Sequence, residues 1–403
     1  MVKMIKEKSA PGAPIKGMIP LSIPEIRGNE WVYVKECLDT GWVSSVGSYV
    51  DRFEAVVAKY VGARHAVACA SGTAALHTAL LVAGIGPGDE VILPALTFAA
   101  PAFAVRYTGA WPVFVDIDPN YWQIDIGRIE EFLVGECRRV RGKLINTRTK
   151  RTVKAILPVH LLGHPVDMDA VMALARKFGL VVIEDAAESI GAEYKGRKVG
   201  SHADMACFSF NGNKIVTCGG GGMLTTGNKY FAERARFLTT QAKEDPVEYI
   251  HHEVGYNYRM TNVQAAIGLA QMERLDEFVG RKRNFASVYA SRLKDIPGIG
   301  LAREASWARA TCWLYTILVD KKIFRMSSRD LMRGLAAAGI QSRPLWHPLH
   351  SLKAFKGSYT ASARVAERVY DQALSVPSST GMTSQEQDRV IRAICDVRAS
   401  KRS

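Results

Sequence analysis

Residues 181–189 read Val-Val-Ile-Glu-Asp-Ala-Ala-Glu-Ser, and residues 205–214 read Met-Ala-Cys-Phe-Ser-Phe-Asn-Gly-Asn-Lys. The first is an apolar, β-branched run that ends in carboxylates. The second is a strand-like run that passes into a loop closed by one lysine and followed by Gly219–Gly222. Apolar runs of this length with charge only at the C-terminal end fit strands buried on both faces of a parallel sheet. In open α/β sheets, ligands sit outside that end. Working outward, further runs predict strands at His65–Ala70, Glu90–Leu93, Pro112–Val115, Lys154–Val159, Leu180–Glu184, Met205–Ser209 and Gly222–Thr225. Helical spacing between them predicts helices at Thr73–Ala83, Ala99–Tyr107 and Asp169–Phe178. The pattern is that of an α/β protein with a seven-stranded, mainly parallel sheet flanked by helices. Thr261–Tyr289 reads as one long helix leading into a second part. The expected division is a flexible arm (1–17), a large α/β domain (18–275) and a small C-terminal α+β domain (276–403).

A chain of 403 residues exceeds the size at which a single core stops growing, consistent with two domains. The formal charge is +14, but the basic residues are scattered, with local groups at Lys3–Lys8, Arg138–Arg151 and Arg281–Arg283. Without a basic stripe interleaved with aromatics, this predicts a solvated basic surface and no nucleic-acid partner. Seven widely spaced cysteines with no CxxC pair predict neither disulfides nor a metal site, and fit a reducing, cytoplasmic setting. No apolar stretch of signal-peptide or membrane-spanning length occurs, so no membrane association is expected.

Three segments carry chemistry. Ser71-Gly72-Thr73 lies between a strand and a helix, where free amides bind phosphate, although a hydroxyl residue there also serves as a plain N-cap. Asp185 at a strand's C-terminal end suits a protonated heterocyclic nitrogen, or again an N-cap. Lys214 beside a glycine run is a candidate nucleophilic amine, or a surface lysine at a turn.

Taken in order, GWVSSVGSYVDRFE, SGTAAL, GDEVILPALTF, IEDAAESIGA, FSFNGNK, GGGGML and GYNYRMTNVQAAIGLAQ resemble the sugar aminotransferases of the DegT/DnrJ/EryC1/StrS family over residues 19–398. The resemblance implies the aspartate-aminotransferase-like fold type I and pyridoxal 5′-phosphate (PLP) as cofactor, with pyridoxamine 5′-phosphate as its intermediate form. It implies that Lys214 carries the cofactor as a Schiff base, that Ser71, Gly72, Thr73 and Ser209 hold its phosphate, and that Phe98 stacks on its ring. Asp185 would pair with the ring nitrogen, and Glu188 would stand near the phenolic oxygen. Asn257 would reach the cofactor of a neighbouring subunit in a homodimer. Asn213, Tyr258, Arg259, Arg343, Trp346 and His350 are the implied substrate contacts, although RPLWHPLH (343–350) also reads as a structural proline-rich loop.

The same resemblance implies amino transfer from L-glutamate, released as 2-oxoglutarate, to a nucleotide-linked keto-sugar. Lys214 would act as proton carrier in both half-reactions. FNGNK, IEDAAES and RPLWHPLH together look most like the branch that aminates C4 of UDP-linked 4-keto-6-deoxy-N-acetylhexosamines for surface-glycan or nonulosonic-acid synthesis; dTDP- or GDP-linked sugars and C3 amination are the alternatives. Sugar dehydratases of the family carry His in place of the anchoring lysine, so Lys214 speaks against dehydration. Intact Lys214 and Asp185 speak against a cofactor-binding regulator without turnover. No GxGxxG follows the first strand, which disfavours a dehydrogenase.

Overall fold

The computed structural model describes residues 17–245 and 247–399. The expected N-terminal arm therefore falls almost wholly outside the described residues. All seven expected strands form: β1 (His65–Cys69), β2 (Asp89–Pro94), β3 (Trp111–Val115), β4 (Thr152–Ile156), β5 (Val181–Asp185), β6 (Met205–Ser209) and β7 (Gly222–Thr226). Their order is β1-β7-β6-β5-β4-β2-β3, and only β7 runs antiparallel to its neighbours. The sheet grows to ten strands at one side, through the short strand Tyr359–Thr360 beside β3 and the hairpin Cys137–Val140/Lys143–Asn146 beside β4. The three expected helices lie at Gly72–Val82, Ala100–Tyr107 and Met168–Phe178.

The expected long helix is instead two, Asn262–Met272 and Leu275–Leu293. Arg274 between them leaves helical geometry (φ −115°, ψ 6°), its guanidinium drawn into ion pairs with Glu25 and Glu277. The second helix runs from one core to another. Leu275, Phe278 and Val279 pack in the large core, whereas Phe285, Tyr289 and Leu293 pack in a second core. That core covers the three-stranded sheet Ile299–Leu301, Tyr315–Val319 and Ala373–Val376.

The division at residue 275 needs two corrections. Ile19, assigned to the large domain, is buried in the second core and bridges to Ile340. Leu345, Leu349, Phe355, Ala366 and Val369, assigned to the small domain, pack in the large core. The apolar side chains of each segment bury wherever a sheet face is open to them, irrespective of chain order. Among the described residues no helix is long and apolar enough to cross a membrane.

Candidate active site

The C-terminal ends of the parallel strands and the loops after them enclose a cavity of about 310 Å³. At one side, Ser71 caps the helix Gly72–Val82: its hydroxyl accepts from the Ala74 amide (3.0 Å) and its carbonyl from Ala75. The cap takes the third amide and leaves those of Gly72 and Thr73 with no intrahelical partner, at the positive end of the peptide dipoles. The two readings of Ser71 are therefore compatible. Gly72 is needed for close approach, because a Cβ there would stand 2.8 Å from Ser209 Cβ. Gly72, Thr73 and Ser209 thus form a small cradle with the chemistry of a phosphate site.

On β5, alternation points Glu184 and Asp185 to opposite faces. Glu184 is buried among donors: His160 Nε2 at 3.0 Å and the amides of Gly200, His202 and Ala203. Burial opposes its ionisation, but His160, His202 and the Gly200 amide together outweigh it and hold the pKa below the usual carboxylate range. Asp185 faces the cavity, and Oδ1 accepts from the Ala187 amide (3.0 Å). Its other oxygen has no hydrogen-bond partner among the described residues. Desolvation pushes its pKa up, only partly offset by the Ala187 amide and the charge of Lys214. A buried carboxylate in this state calls for a cationic N–H, which a protonated pyridine nitrogen supplies.

Lys214 Nζ stands 3.4 Å from Glu188 Oε1 and 3.9 Å from the ring centroid of Trp313. Glu188 Oε2 accepts from the Leu162 amide (2.7 Å); burial raises its pKa against the opposing charge of Lys214. Trp313 donates its indole N–H to the Asn213 carbonyl (2.8 Å) and stacks nearly parallel on Trp346 (6.3 Å, 6°). Phe98, 54% exposed, meets Trp346 edge-on at 6.2 Å and flanks the opening. Trp313 was not among the expected site residues: its segment, Cys312-Trp313-Leu314-Tyr315, reads as buried core, and no sequence signal distinguishes it.

The fold brings Ser71, Gly72, Thr73, Phe98, Asp185, Glu188, Ser209, Asn213, Lys214 and Trp346 to this one cavity. Four expected substrate contacts do not line it. The Tyr258 hydroxyl lies 3.3 Å from His77 Nδ1, and Arg259 is bound to Glu54 at 2.5 Å. The Arg343 backbone pairs with Ser375 and its guanidinium donates to the Ser342 carbonyl, while His350 pairs with Glu367 at 3.0 Å. Asn257 lies in a separate recess with Val46, Thr240, Lys243 and Arg259.

The sequence profile of the DegT/DnrJ/EryC1/StrS aminotransferase family matches residues 24–395, and the chain belongs to that family. It is 43% identical to the GDP-perosamine synthase of Caulobacter vibrioides, over 94% of this chain and 98% of that protein. Among solved structures, DesV of S. venezuelae is 34% identical with a TM-score of 0.82, covering 92% of this chain and 94% of that one. The PLP form of the Streptococcus pneumoniae sugar aminotransferase Spr1654 is 27% identical with a TM-score of 0.84, covering 95% and 99%. The chain is thus a PLP-dependent aminotransferase, a transferase acting on nucleotide sugars. The Caulobacter relative is named for a GDP-linked product, whereas the motifs around Lys214 had suggested the UDP-linked branch.

Proposed function

We propose that this chain aminates C4 of a GDP-linked 4-keto-6-deoxy sugar with L-glutamate as amino donor, and that Lys214 both anchors the cofactor and carries the proton. The observation behind the chemistry is the setting of the Lys214 amine, between the Glu188 carboxylate and the Trp313 ring, in one cavity with Asp185 and the free amides of Gly72 and Thr73. The GDP preference and C4 position draw on the extended similarity to the Caulobacter enzyme.

When bound, PLP supplies an aldehyde that takes up the amino group and a protonated ring that draws off the electron pair left at carbon. Gly72, Thr73 and Ser209 would hold its phosphate, and Asp185 would keep the ring nitrogen protonated. Glu188 orients Lys214 by its charge. Once freed by the incoming amine, Lys214 Nζ would take the proton from the donor's α-carbon and pass it to the carbon of the cofactor's former aldehyde, and in the second half-reaction it would carry a proton the opposite way, to the sugar carbon. Phe98, Trp313 and Trp346 exclude water from the side on which the sugar enters.

A homodimer completes this reading. Asn257 stands apart from its own chain's cavity, available to a second copy, and Trp31, Val247 and Val254 are between 78% and 81% exposed. The cysteines, all free among the described residues, support a cytoplasmic location.

The test is a panel of GDP-, UDP- and dTDP-linked 4-keto-6-deoxy sugars with glutamate, scored by product NMR. The GDP-linked substrate should give the highest kcat/KM, and preference for a UDP-linked N-acetylhexosamine would overturn the nucleotide assignment. Borohydride reduction of the yellow holoenzyme should fix the cofactor to Lys214; label elsewhere would overturn the anchor. Mixing inactive Lys214→Ala with Asn257→Ala should restore turnover by forming one intact shared site, and no rescue would refute sharing.

A further inference from the structure

A second cavity, of about 340 Å³, lies behind the active-site wall, between Tyr121–Gln123, the turn Leu161–Gly163 and the helix Leu275–Leu293. Its size falls in the range of small-molecule sites, about 300–1,000 Å³. The helix offers Arg283, Ala286, Ser287 and Ala290, one face at i, i+3, i+4 and i+7, and the two alanines keep the space open. Across from it, residues 310–314 alternate. Ala310, Cys312 and Leu314 line this cavity. Thr311 and Trp313 turn to the other side, where Thr311 Oγ1 donates to the Glu188 carbonyl (3.3 Å) and the Trp313 ring meets Lys214.

Two features mark the cavity as built for a ligand. Tyr315, only 5% exposed, lines it, and its hydroxyl, buried in the cavity wall, has no hydrogen-bond partner among the described residues. Buried hydroxyls are costly when left unpaired. The charge at the rim is also one-sided. Glu304 is already neutralised by Arg283 (2.6 Å) and the Ala310 amide, whereas Arg303 is exposed with no ion-pair partner among the described residues. Both nitrogens of His164 are engaged, with the Pro165 carbonyl and the Ala305 amide, so this ring adds no charge.

We propose that this cavity binds a small amphiphilic anion, an apolar body with one carboxylate, sulfonate or phosphate, and that its occupancy is felt at Lys214 through residues 310–314. The apolar body packs against Leu161, Leu314 and Ala290, the anionic group meets Arg303, and the Tyr315 ring turns outward from the wall to give its O–H to an acceptor oxygen. The two sites share a backbone lacing: Trp313 N–H to Leu162 O (3.1 Å), Thr311 N–H to Gly163 O (3.0 Å) and Leu162 N–H to Glu188 Oε2 (2.7 Å). A ligand that shifts this strip moves Glu188 and Trp313, the two groups flanking Lys214. Binding is independent of the role given to Lys214; only the coupling rests on it.

The test uses the holoenzyme and the fluorescent apolar anion 8-anilinonaphthalene-1-sulfonate, with excess nucleoside diphosphate to occupy the active site. Saturable binding of one probe per chain is expected. Ala290→Phe, which fills the cavity, and Arg303→Glu, which reverses the rim charge, should each weaken it by about tenfold or more. The Arg303 variant changes an exposed side chain and so keeps the test valid if the Ala290 variant misfolds. The probe should also shift the visible band of the bound cofactor, and 2-oxoglutarate, which does not react with the aldehyde form, should change probe affinity by the factor by which the probe changes that of 2-oxoglutarate. Undiminished binding in Arg303→Glu would overturn the site. Binding that leaves the cofactor band unmoved would overturn the coupling.

Discussion

Lys282 is only 2% exposed in the helix that runs between the two cores, and no carboxylate pairs with it among the described residues. Its Nζ donates to the carbonyls of Trp313 and Ser378, both at 2.8 Å. Desolvation, weakly opposed by Cys312, pushes its pKa down from 10.5 to about 7. A neutral amine still donates to both carbonyls, so the contacts survive loss of the proton. Between the folded and unfolded pKa values the unfolded chain holds a proton that the native protein lacks. Unfolding free energy should then rise with pH by about 1.4 kcal/mol per unit from this group alone. From about pH 7.5 to about pH 9.5 the contribution is about 2.5 kcal/mol, and below about pH 7 it is flat. Lys282→Met keeps the bulk of the side chain and abolishes the slope. The intercept is less diagnostic, because the variant also leaves the Ser378 carbonyl unpaired, at about 1–3 kcal/mol. Denaturant unfolding of wild type and variant across this pH range reads the difference directly, with other titrating groups cancelling. Parallel curves would show that Lys282 does not change protonation on folding, and would refute the reasoning.

Asp185→Asn should act with opposite signs on two observables. Burial raises the Asp185 pKa, so its stability contribution to the cofactor-free fold is greatest at low pH and is lost as pH rises through the folded pKa. At neutral pH the cofactor-free variant should therefore melt higher than wild type while holding PLP less tightly and turning over more slowly; a lower melting temperature would contradict this. Gly72→Ala places a Cβ 2.8 Å from Ser209 Cβ, so it should cost about 1–3 kcal/mol and reduce cofactor retained on gel filtration. Unchanged retention would remove Gly72 from the cradle. Glu54→Ala strips Arg259, whose side chain is 11% exposed, of its buried partner. Exposed Asp51 at 3.9 Å replaces it only in part, and the Ala68 amide (2.8 Å) and Arg236 (2.7 Å) lose their Glu54 contacts as well, so the loss should be about 3–5 kcal/mol in denaturant unfolding.

The seven core strands, the three helices between them, and the placement of Asp185 at a strand end and of Lys214 in the loop after Met205–Ser209 were legible in the sequence, because apolar periodicity and breaker residues act over a few positions and each strand buries both faces. The family motifs likewise carried the cofactor and reaction class. Local pattern could not show that Arg274 breaks the helix, since the ion pair to Glu25 comes from 249 residues away. Nor could it show that Ile19 closes the second core, or that residues 345–369 return to the first. The family resemblance implied Arg259 and His350 as substrate contacts, and only folding supplied Glu54 and Glu367 as their partners. Trp313 shows the division most clearly: its apolar surroundings mark it as core, and a period-two alternation turns it toward Lys214 while Cys312 and Leu314 face the other cavity. The sequence determined which segments are buried and where charge meets the ends of strands, because those are properties of neighbours along the chain. Which side chains stand together at the site was decided by tertiary packing, because that depends on distances between residues that only the fold brings close.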